Sequence, residues 1–458
     1  MKKLATILTA AVTLIGGEFF NAPALHAESL ENALRASLSN SKDLAAARQE
    51  WIAARENIGS KTATSDLSAR LNSTANQSHI DSRAGAGFEQ SQSISADITL
   101  SKNLYDGGQT KQNMRLAEIE LRTASATFAK AEQKLILETV ESYLAVIKAR
   151  REVNLHVANL KRLEAHVSAA KIRLEAGAST PTRLAEARAR LARARSDSIS
   201  AQTRLINAED AYQSLTGMGA GTLSTPAMDQ GLPTSLDQAE NTARKAHPDI
   251  AAALSAERAA NQRFNTLKAA VSPTLAFSLS ASSKAATGTN ADKDDVTAKL
   301  VFSSPILSTN ATRASSRRIA ASHSRSQLKY KEAIRLVEVG ARKAFRNWQA
   351  TETRLDAVKS EIDASRLVAK GIASEAQYGQ KTNLDLLDAE QDVNDAELRL
   401  VTVEHDRLQA AYRLLAAIGR LSAADLGLNS VVTNLDDLPA PQNPFSSTFP
   451  FSRRQMAD

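Results

Sequence analysis

The chain has 458 residues, carries a formal net charge of +7 and contains no cysteine. Without cysteine, disulfides, thiolate metal sites and an acylated N-terminal cysteine are excluded. Aromatic residues make up only 4% of the chain, and none is interleaved with the run of arginines from Arg188 to Arg204. We therefore interpret that run as a solvated helix face, and nucleic acid is not an expected partner.

The first 27 residues have the pattern of a secretory signal peptide. Two lysines after Met1 precede an apolar stretch from Leu4 to Ile15, and small residues end the segment at Ala27. Cleavage after Ala27 is favoured, and cleavage after Ala24 is the alternative. The apolar stretch is too short to span a bilayer comfortably. We therefore expect an exported protein that is periplasmic, secreted or a β-barrel in an outer membrane.

The rest of the chain consists of two similar halves. Gly379 lies 202 residues after Gly177, and Gly217 and Gly419 keep the same offset. A repeat of about 200 residues is too long for a solenoid and indicates one domain duplicated and fused. The predicted repeats are residues 28–217 and 236–428, with a linker at 218–235 and a loosely ordered tail at 429–458.

Two short segments in each half alternate between apolar and polar residues. They predict strands near residues 66–76, 93–101, 274–281 and 295–303, joined in pairs by polar loops at about 77–92 and 282–294. Lengths of about 9–11 residues suit tilted transmembrane strands. Soluble hairpins packed on helices are the alternative, but the small and charged groups of the polar faces favour a water-filled lumen.

Long helices are predicted around these strands. No proline or glycine occurs between Gly108 and Gly177, and apolar residues recur there every three or four positions, which is typical of a coiled coil. A second such stretch runs from about Thr309 to Tyr378. At 1.5 Å per residue, each helix is about 100 Å long. Shorter helices are predicted for residues 28–61, 182–215, 236–270 and 383–418.

Four strands cannot close into a barrel, and an open sheet edge cannot face lipid. Several chains must therefore pool their strands: two copies supply eight, and three supply twelve. An eight-stranded barrel is filled by its own side chains, whereas twelve strands leave a lumen. The predicted fold class is mainly α, with four strands per chain that contribute to a membrane β-barrel and long coiled-coil helices that form a tunnel. Such a protein is a conduit across an outer membrane and periplasm.

Several motifs resemble the TolC family of outer-membrane efflux channels. Leu104-Tyr-Asp-Gly-Gly108 looks like the family's L-[FY]-D-G-G, and Ser304-Pro-Ile-Leu307 takes the equivalent place in the second half. His247-Pro-Asp-Ile250 is similar to N-P-[DE]-[LI]. The motifs are weak singly but specific in this order, and the resemblance covers essentially the whole mature chain.

This resemblance implies a homotrimer with a twelve-stranded barrel in the lipid of a Gram-negative outer membrane and a twelve-helix periplasmic tunnel. It implies export of drugs or of secreted proteins, as in type I secretion. The implied partners are a periplasmic adaptor (a membrane fusion protein) and an inner-membrane pump of the RND or ABC type. It implies no enzymatic chemistry, cofactor or metal.

The sharpest candidate site is Asp385-Leu-Leu-Asp388. Residues three apart share a helix face, so a trimer would arrange both carboxylates of each chain around one axis, and such a ring favours cations. The motif matches the family's D-V-L-D periplasmic entrance at both aspartates, which implies a pore gate. A solvated helix face, or a charge pair with Lys381, is the alternative.

The resemblance also implies polar links that hold the entrance shut. Lys381 falls where the family has a basic latch residue, but Arg183 stands where the family has its aspartate partner. Two cations repel, so the expected latch is either rewired through Glu186, one turn further on, or weaker. A weaker latch would leave the resting channel leaky.

The two helix entries are the candidate docking surface for the tips of an adaptor. They contain Gly177 and Thr182 in the first repeat, and Gly379 and Thr382 in the second. Ordinary turn chemistry is the alternative explanation of these residues.

Two other classes of protein remain as alternatives. A periplasmic coiled-coil adaptor or tether would show one helical hairpin flanked by lipoyl-like half-motifs, and none is visible. A secreted coiled-coil structural protein or toxin component would not need duplicated alternating strands. The seven histidines are scattered, and no carboxylate–histidine spacing suggests a metal or catalytic site, so no enzyme is expected.

Overall fold

The computed structural model describes residues 29–82, 87–227, 231–287, 292–307, 309–428 and 435. The predicted signal peptide, with both candidate cleavage positions, lies outside the described residues. So does the predicted tail, apart from Leu435.

Both repeats have the same order of elements: two short helices, two strands and two longer helices. The first repeat contains α1 (Leu30–Asn40), α2 (Lys42–Thr62), β1 (Ser68–Ser82), β2 (Gly87–Tyr105), α3 (Gln109–Glu175) and α4 (Pro181–Thr216). The second contains α5 (Leu236–Ala246), α6 (Pro248–Ala270), β3 (Thr274–Ala286), β4 (Lys293–Ser303), α7 (Asn310–Gln377) and α8 (Asn383–Ala417). The second half of the chain therefore repeats the order of helices and strands of the first half.

The two long helices are confirmed. Helix α3 has 67 residues and α7 has 68, so each is about 100 Å long at 1.5 Å per residue. Helix α4 folds back along α3, α8 folds back along α7, and α3 and α8 pack against each other. The helices therefore form a curtain in the order α4–α3–α8–α7. No helix in the described part of the chain is long and apolar enough to cross a membrane.

The prediction of single helices over 28–61 and 236–270 was wrong, because each region is split in two. Ser41 adopts an extended conformation (φ −66°, ψ 120°), and its hydroxyl accepts a hydrogen bond from the Leu44 N–H at 3.2 Å. In the second repeat Pro248 forces the preceding His247 out of the helical region. The His247 Nδ1 then accepts from the Asp249 N–H at 3.1 Å. Both breaks are N-caps that restart the helix in a new direction.

The strands are longer than predicted, and the predicted loops at 77–92 and 282–294 were therefore too long. Strand β1 has 15 residues and β2 has 19, and pairing continues to Ser82 opposite Gly87. Strand β3 continues to Ala286, and β4 begins at Lys293. Backbone pairing does not require apolar side chains, so a polar sequence did not end these strands.

The four strands form one antiparallel sheet in the order β1–β2–β3–β4. Its central pair, β2 and β3, joins the first repeat to the second. One face of the sheet carries apolar side chains that stay exposed: Leu71 is 69% exposed, Ile98 53% and Val296 75%. These side chains do not pack on the helices, as soluble hairpins would require. The opposite face is lined by small polar side chains such as Ser95 and Thr99.

The main hydrophobic core lies around the middle of α3 and α7, where helices from both repeats meet. Its buried members include Ile136, Tyr143, Tyr212, Phe345 and Leu414. The hydroxyl of Tyr143 donates to the carbonyl of Ser224 at 2.7 Å, which ties the segment between the repeats to this core. The two repeats are therefore fastened at mid-length, and the two ends of the curtain extend away from it.

A buried carboxyl group lies at the edge of this core. Glu132 of α3 is only 7% exposed. Burial raises the pKa of Glu132, the nearby Asp425 acts in the same direction, and a hydrogen bond from the Ala423 backbone opposes them. The Oε1 atom of Glu132 has no hydrogen-bond partner among the described residues. Ionised Glu132 is therefore a cost to the folded state.

We expect Glu132→Gln to raise the thermal unfolding midpoint at pH 7.5. When the pKa of a carboxyl group is raised in the folded state, the folded protein loses stability as pH rises through that pKa. Below the ordinary pKa of 4.5 it loses none. The advantage of the variant should therefore shrink towards pH 4 in unfolding curves of the detergent-solubilised protein. Glu118→Gln, at an exposed position on the same helix, is the control. Equal midpoints for wild type and Glu132→Gln at pH 7.5 would contradict the expectation.

Candidate functional site

Two matching turns lie at the end of the helical curtain. Gly177 (φ 73°) ends α3 and Gly379 (φ 74°) ends α7, both in the left-handed region that glycine adopts without strain. The Ala178 N–H donates to the Arg173 carbonyl at 2.8 Å, and the Gln380 N–H donates to the Glu375 carbonyl at 2.9 Å. These are the hydrogen bonds of a Schellman motif, and they reverse the chain in the same way in both repeats.

Helix α8 starts from a reciprocal cap. The Thr382 hydroxyl accepts from the Asp385 N–H at 3.2 Å, and Asp385 Oδ2 accepts from the Thr382 N–H at 2.8 Å. The Thr382 N–H holds the pKa of the Asp385 carboxyl below its usual range, with the Thr382 hydroxyl and the charge of Lys381 acting in the same direction. Asp385 is thus an ionised carboxylate at the surface, held in a fixed orientation.

The second aspartate of the motif has a partner on another helix. Arg190 Nη2 of α4 donates to Asp388 Oδ1 at 2.5 Å. Beside this pair, Leu163 of α3, Ala194 of α4 and Leu387 of α8 form a small buried cluster. The pair therefore links the helical hairpin formed by α3 and α4 to the helical hairpin formed by α7 and α8, close to the turns.

Further contacts hold the two turns side by side. Arg173 Nη1 lies 3.4 Å from Asn383 Oδ1, and His166 Nε2 lies 2.9 Å from Glu390 Oε2. The hydrogen bond with His166 lowers the pKa of Glu390, against the effect of partial burial. Near the turns, the seam between α3 and α8 is therefore mainly polar outside the Leu163–Leu387 cluster, whereas buried apolar side chains pack between the two helices of each hairpin.

The other candidate residues lie on the surface around the turns. Lys381, Arg183 and Glu186 are all exposed, and no ion pair to them occurs within the described ranges. Thr180, rather than Thr182, caps α4, because its hydroxyl accepts from the Arg183 N–H at 3.5 Å. Thr180 is therefore the equivalent of Thr382, and Thr182 lies inside the first turn of α4.

Sequence reasoning missed Arg190 as a partner of the aspartate motif. The arginine run of α4 was interpreted as a solvated face, and Arg190 and Asp388 are 198 residues apart. The duplication of the sequence was the one signal that could have pointed to this partner. Two hairpins that share one fold bring equivalent helices together, so α4 and α8 both approach the same end.

Fold and site together define a class of protein. A sheet with an exposed apolar face lies at one end of the chain, and a curtain of long helices ends in charged turns at the other. This combination is the architecture of an outer-membrane channel with a helical periplasmic extension.

Comparison with known proteins agrees with this class. The family model described as outer membrane efflux protein matches residues 33–218 and 240–420. The chain is 28% identical over 423 residues to the outer membrane efflux protein BepC of Brucella suis, a match that covers 92% of both chains. It is 22% identical over 466 residues to the outer membrane protein TolC of Escherichia coli, covering 97% of this chain and 93% of that protein. The crystal structure of VceC from Vibrio cholerae has a TM-score of 0.71 at 17% identity, covering 85% of this chain and 96% of that chain.

Because the family model spans both repeats, the chain belongs to the outer membrane efflux protein family, the TolC-type channels of Gram-negative outer membranes. Its relatives are efflux and secretion channels, which supports a channel over a periplasmic adaptor or tether. The family and its structural neighbours are channel proteins rather than enzymes.

Proposed function

We propose that three copies of the chain form one channel-tunnel that conducts drugs, secreted proteins or both from the periplasm to the exterior. In this proposal three four-stranded sheets close a twelve-stranded barrel, and three helical curtains close a twelve-helix tunnel. A periplasmic adaptor and an inner-membrane pump of the RND or ABC type deliver the cargo.

The observation that carries this proposal is a sheet of four strands whose apolar face is exposed and whose outer strands, β1 and β4, each pair on one side only within the described residues. In hydrocarbon, the free side of each outer strand would leave backbone groups without hydrogen bonds, at a cost of several kcal/mol for each group.

We expect the mature protein to run as a trimer on unheated SDS gels of outer-membrane fractions and as a monomer after boiling, because interstrand hydrogen bonds close the barrel. Light scattering in detergent should give three times the protomer mass. A monodisperse monomer in buffer without detergent would contradict the proposal.

We propose that Asp385 and Asp388 form the cation-binding gate of this tunnel. Asp385 supports this role because its carboxylate lies at the surface, is ionised and is fixed by the cap of α8. Asp388 lies one turn further along the same face, but Arg190 partly neutralises it. The two aspartates therefore differ: Asp385 presents its charge to the axis, and Asp388 shares its charge with α4.

We also propose that the Arg190–Asp388 pair is the rewired latch. It is a direct ion pair between the two hairpins at this end, and it lies one turn beyond Glu186 along α4. Outward movement of α7 and α8 would break it. At half-exposed positions such a pair contributes only about 0–1 kcal/mol, which suits a link that an adaptor must release.

Single-channel recordings in planar bilayers test the gate. We expect Asp385→Ala/Asp388→Ala to abolish block by divalent and trivalent cations applied from the periplasmic side, since no carboxylate of the motif remains. Unchanged block would exclude the gate.

The same recordings test the latch with Arg190→Ala. Removing Arg190 frees Asp388, so we expect stronger cation block together with a higher open probability. Exchange of the charges, Arg190→Asp/Asp388→Arg, should restore the low open probability. Arg399→Ala is the control, because Arg399 pairs with Glu361 at 2.5 Å inside the α7–α8 hairpin. An open probability of Arg190→Ala equal to that of wild type would exclude the latch.

We propose that the turns at Gly177 and Gly379, with Thr182 and Thr382 beside them, dock the adaptor. Open space around both glycines supports this role, because a Cβ at either position would meet no atom within 4 Å.

We expect Gly379→Trp to abolish export while the trimer persists, and Gly379→Ala to retain most export. Both variants carry the same left-handed backbone strain, so only the added bulk separates them. Drug susceptibility of complemented cells measures export, and unheated gels measure the trimer. Full export by Gly379→Trp would argue for turn chemistry alone.

A further inference from the structure

One lysine lies on the exposed apolar face of the sheet. Lys102 of β2 follows Ile98 and Leu100 on that face and is exposed. In the register of the sheet it lies opposite Phe277 of β3, and Phe277 lies opposite Leu300 of β4. The cation is therefore flanked by large apolar side chains.

The row of residues next to Lys102, on the side of the helices, contains two aromatic side chains. A β-bulge between Asn103 and Tyr105 places Tyr105 opposite Leu275, which lies opposite Phe302. Tyr105 is 55% exposed and Phe302 is 68% exposed. Exposed aromatic side chains at one end of an apolar band are typical of the interface between hydrocarbon and lipid head groups.

Lys102 has no counter-ion in the described part of the chain, since no ion pair to it occurs there. Its neighbours along the strand, Leu100 and Leu104, are apolar. Strand β2 lies between β1 and β3, so a second copy of the chain cannot pair directly beside it. A lysine facing lipid is tolerated where its flexible stem carries the ammonium group to the interface.

Basic side chains continue on the helix that begins just below this level. Lys111 and Arg115 lie one turn apart at the start of α3, and both are exposed. Together with Lys102, they place positive charge where the sheet meets the periplasm. Such charge attracts anionic head groups.

We propose that Lys102 binds the phosphate of an anionic phospholipid in the periplasm-facing leaflet and so fixes the depth of the sheet in the membrane. The inference rests on the proposed function, because it requires the apolar face to contact lipid. Phe277 and Tyr105 contact the acyl chain beside the bound head group, and the ammonium of Lys102 donates to the phosphate. The lipid is held at a fixed height because β2 is a central strand.

The chain offers a matched control for this site. Lys299 of β4 lies opposite Ser278, which lies opposite Ser101, the neighbour of Lys102. It therefore lies at nearly the same height, but on the opposite face of the sheet. Lys299→Leu removes the same charge from the protein without touching the lipid-facing surface.

The test uses the delipidated, detergent-solubilised assembly. Phosphatidylglycerol or phosphatidylcholine is added, and bound lipid is counted by native mass spectrometry. We expect wild type, Lys299→Leu and Lys102→Arg to prefer phosphatidylglycerol. Lys102→Leu should lose about fivefold of that preference, the ratio that corresponds to about 1 kcal/mol per lysine at an anionic surface. Lys102→Gln replaces Lys102→Leu if the latter does not accumulate.

An unchanged preference in Lys102→Leu or Lys102→Gln would overturn the proposal, as would an equal loss in Lys299→Leu. These outcomes are distinct from failure of the proposed function. If the wild-type chain does not assemble in the outer membrane, the channel proposal itself fails. If it assembles normally and only the lipid preference is insensitive to Lys102, the channel stands and the lipid site falls.

Discussion

Backbone hydrogen bonding at the outer strands of the sheet is the constraint on which the molecule depends. A chain that places four strands in lipid must find partners for the free sides of β1 and β4, and in the proposed trimer identical neighbours supply them. Closure of the sheet then determines how the helices are arranged. Each strand leads into or out of a helix, so a ring of strands demands a ring of helices below it, and the length of α3 and α7 turns that ring into a tunnel.

The contacts between neighbouring helices of the curtain differ in strength. Within each hairpin, apolar side chains such as Leu184 and Leu355 are buried between the two helices. Between the hairpins, the seam of α3 and α8 combines the small cluster around Leu163 and Leu387 with polar pairs such as His166–Glu390 and Arg151–Glu404. Half-exposed ion pairs add little net stability, whereas buried aliphatic side chains add about 1.5–3 kcal/mol each. Near the turns, the seam is therefore the weaker contact, and the proposed gate would open there.

Much of this architecture follows from local patterns in the sequence. The long helices were predictable because 68 residues without proline or glycine separate Gly108 from Gly177, and the strands because their alternation has period two. The breaks between the short helices were not predicted, because at Ser41 a single hydroxyl caps the new helix and at Pro248 the helical composition continues on both sides of the proline. The strand ends were not predicted, because backbone pairing between neighbouring strands continues through polar residues, where the alternation of apolar and polar side chains stops.

The candidate entrance was predictable in part. The aspartate motif and the glycine turns stand out by spacing, and the structure places them at one end of the curtain. The partner of Asp388 could not be derived, because no local pattern relates residues on α4 and α8. Only the fold brings these two helices together.

The two β-hairpins of the sheet differ in how far their strand pairing extends. Strand β2 pairs with β3 only from Ser93 onwards, whereas it pairs with β1 from Gly87. The pairing of β1 with β2 therefore extends six residues past the pairing of β2 with β3, about 20 Å at 3.4 Å per residue. In a closed trimer, three such pairs of strands would project beyond the rim of the pore on the extracellular side. Although both repeats build the wall, the paired strands nearest the outside would come from the first repeat.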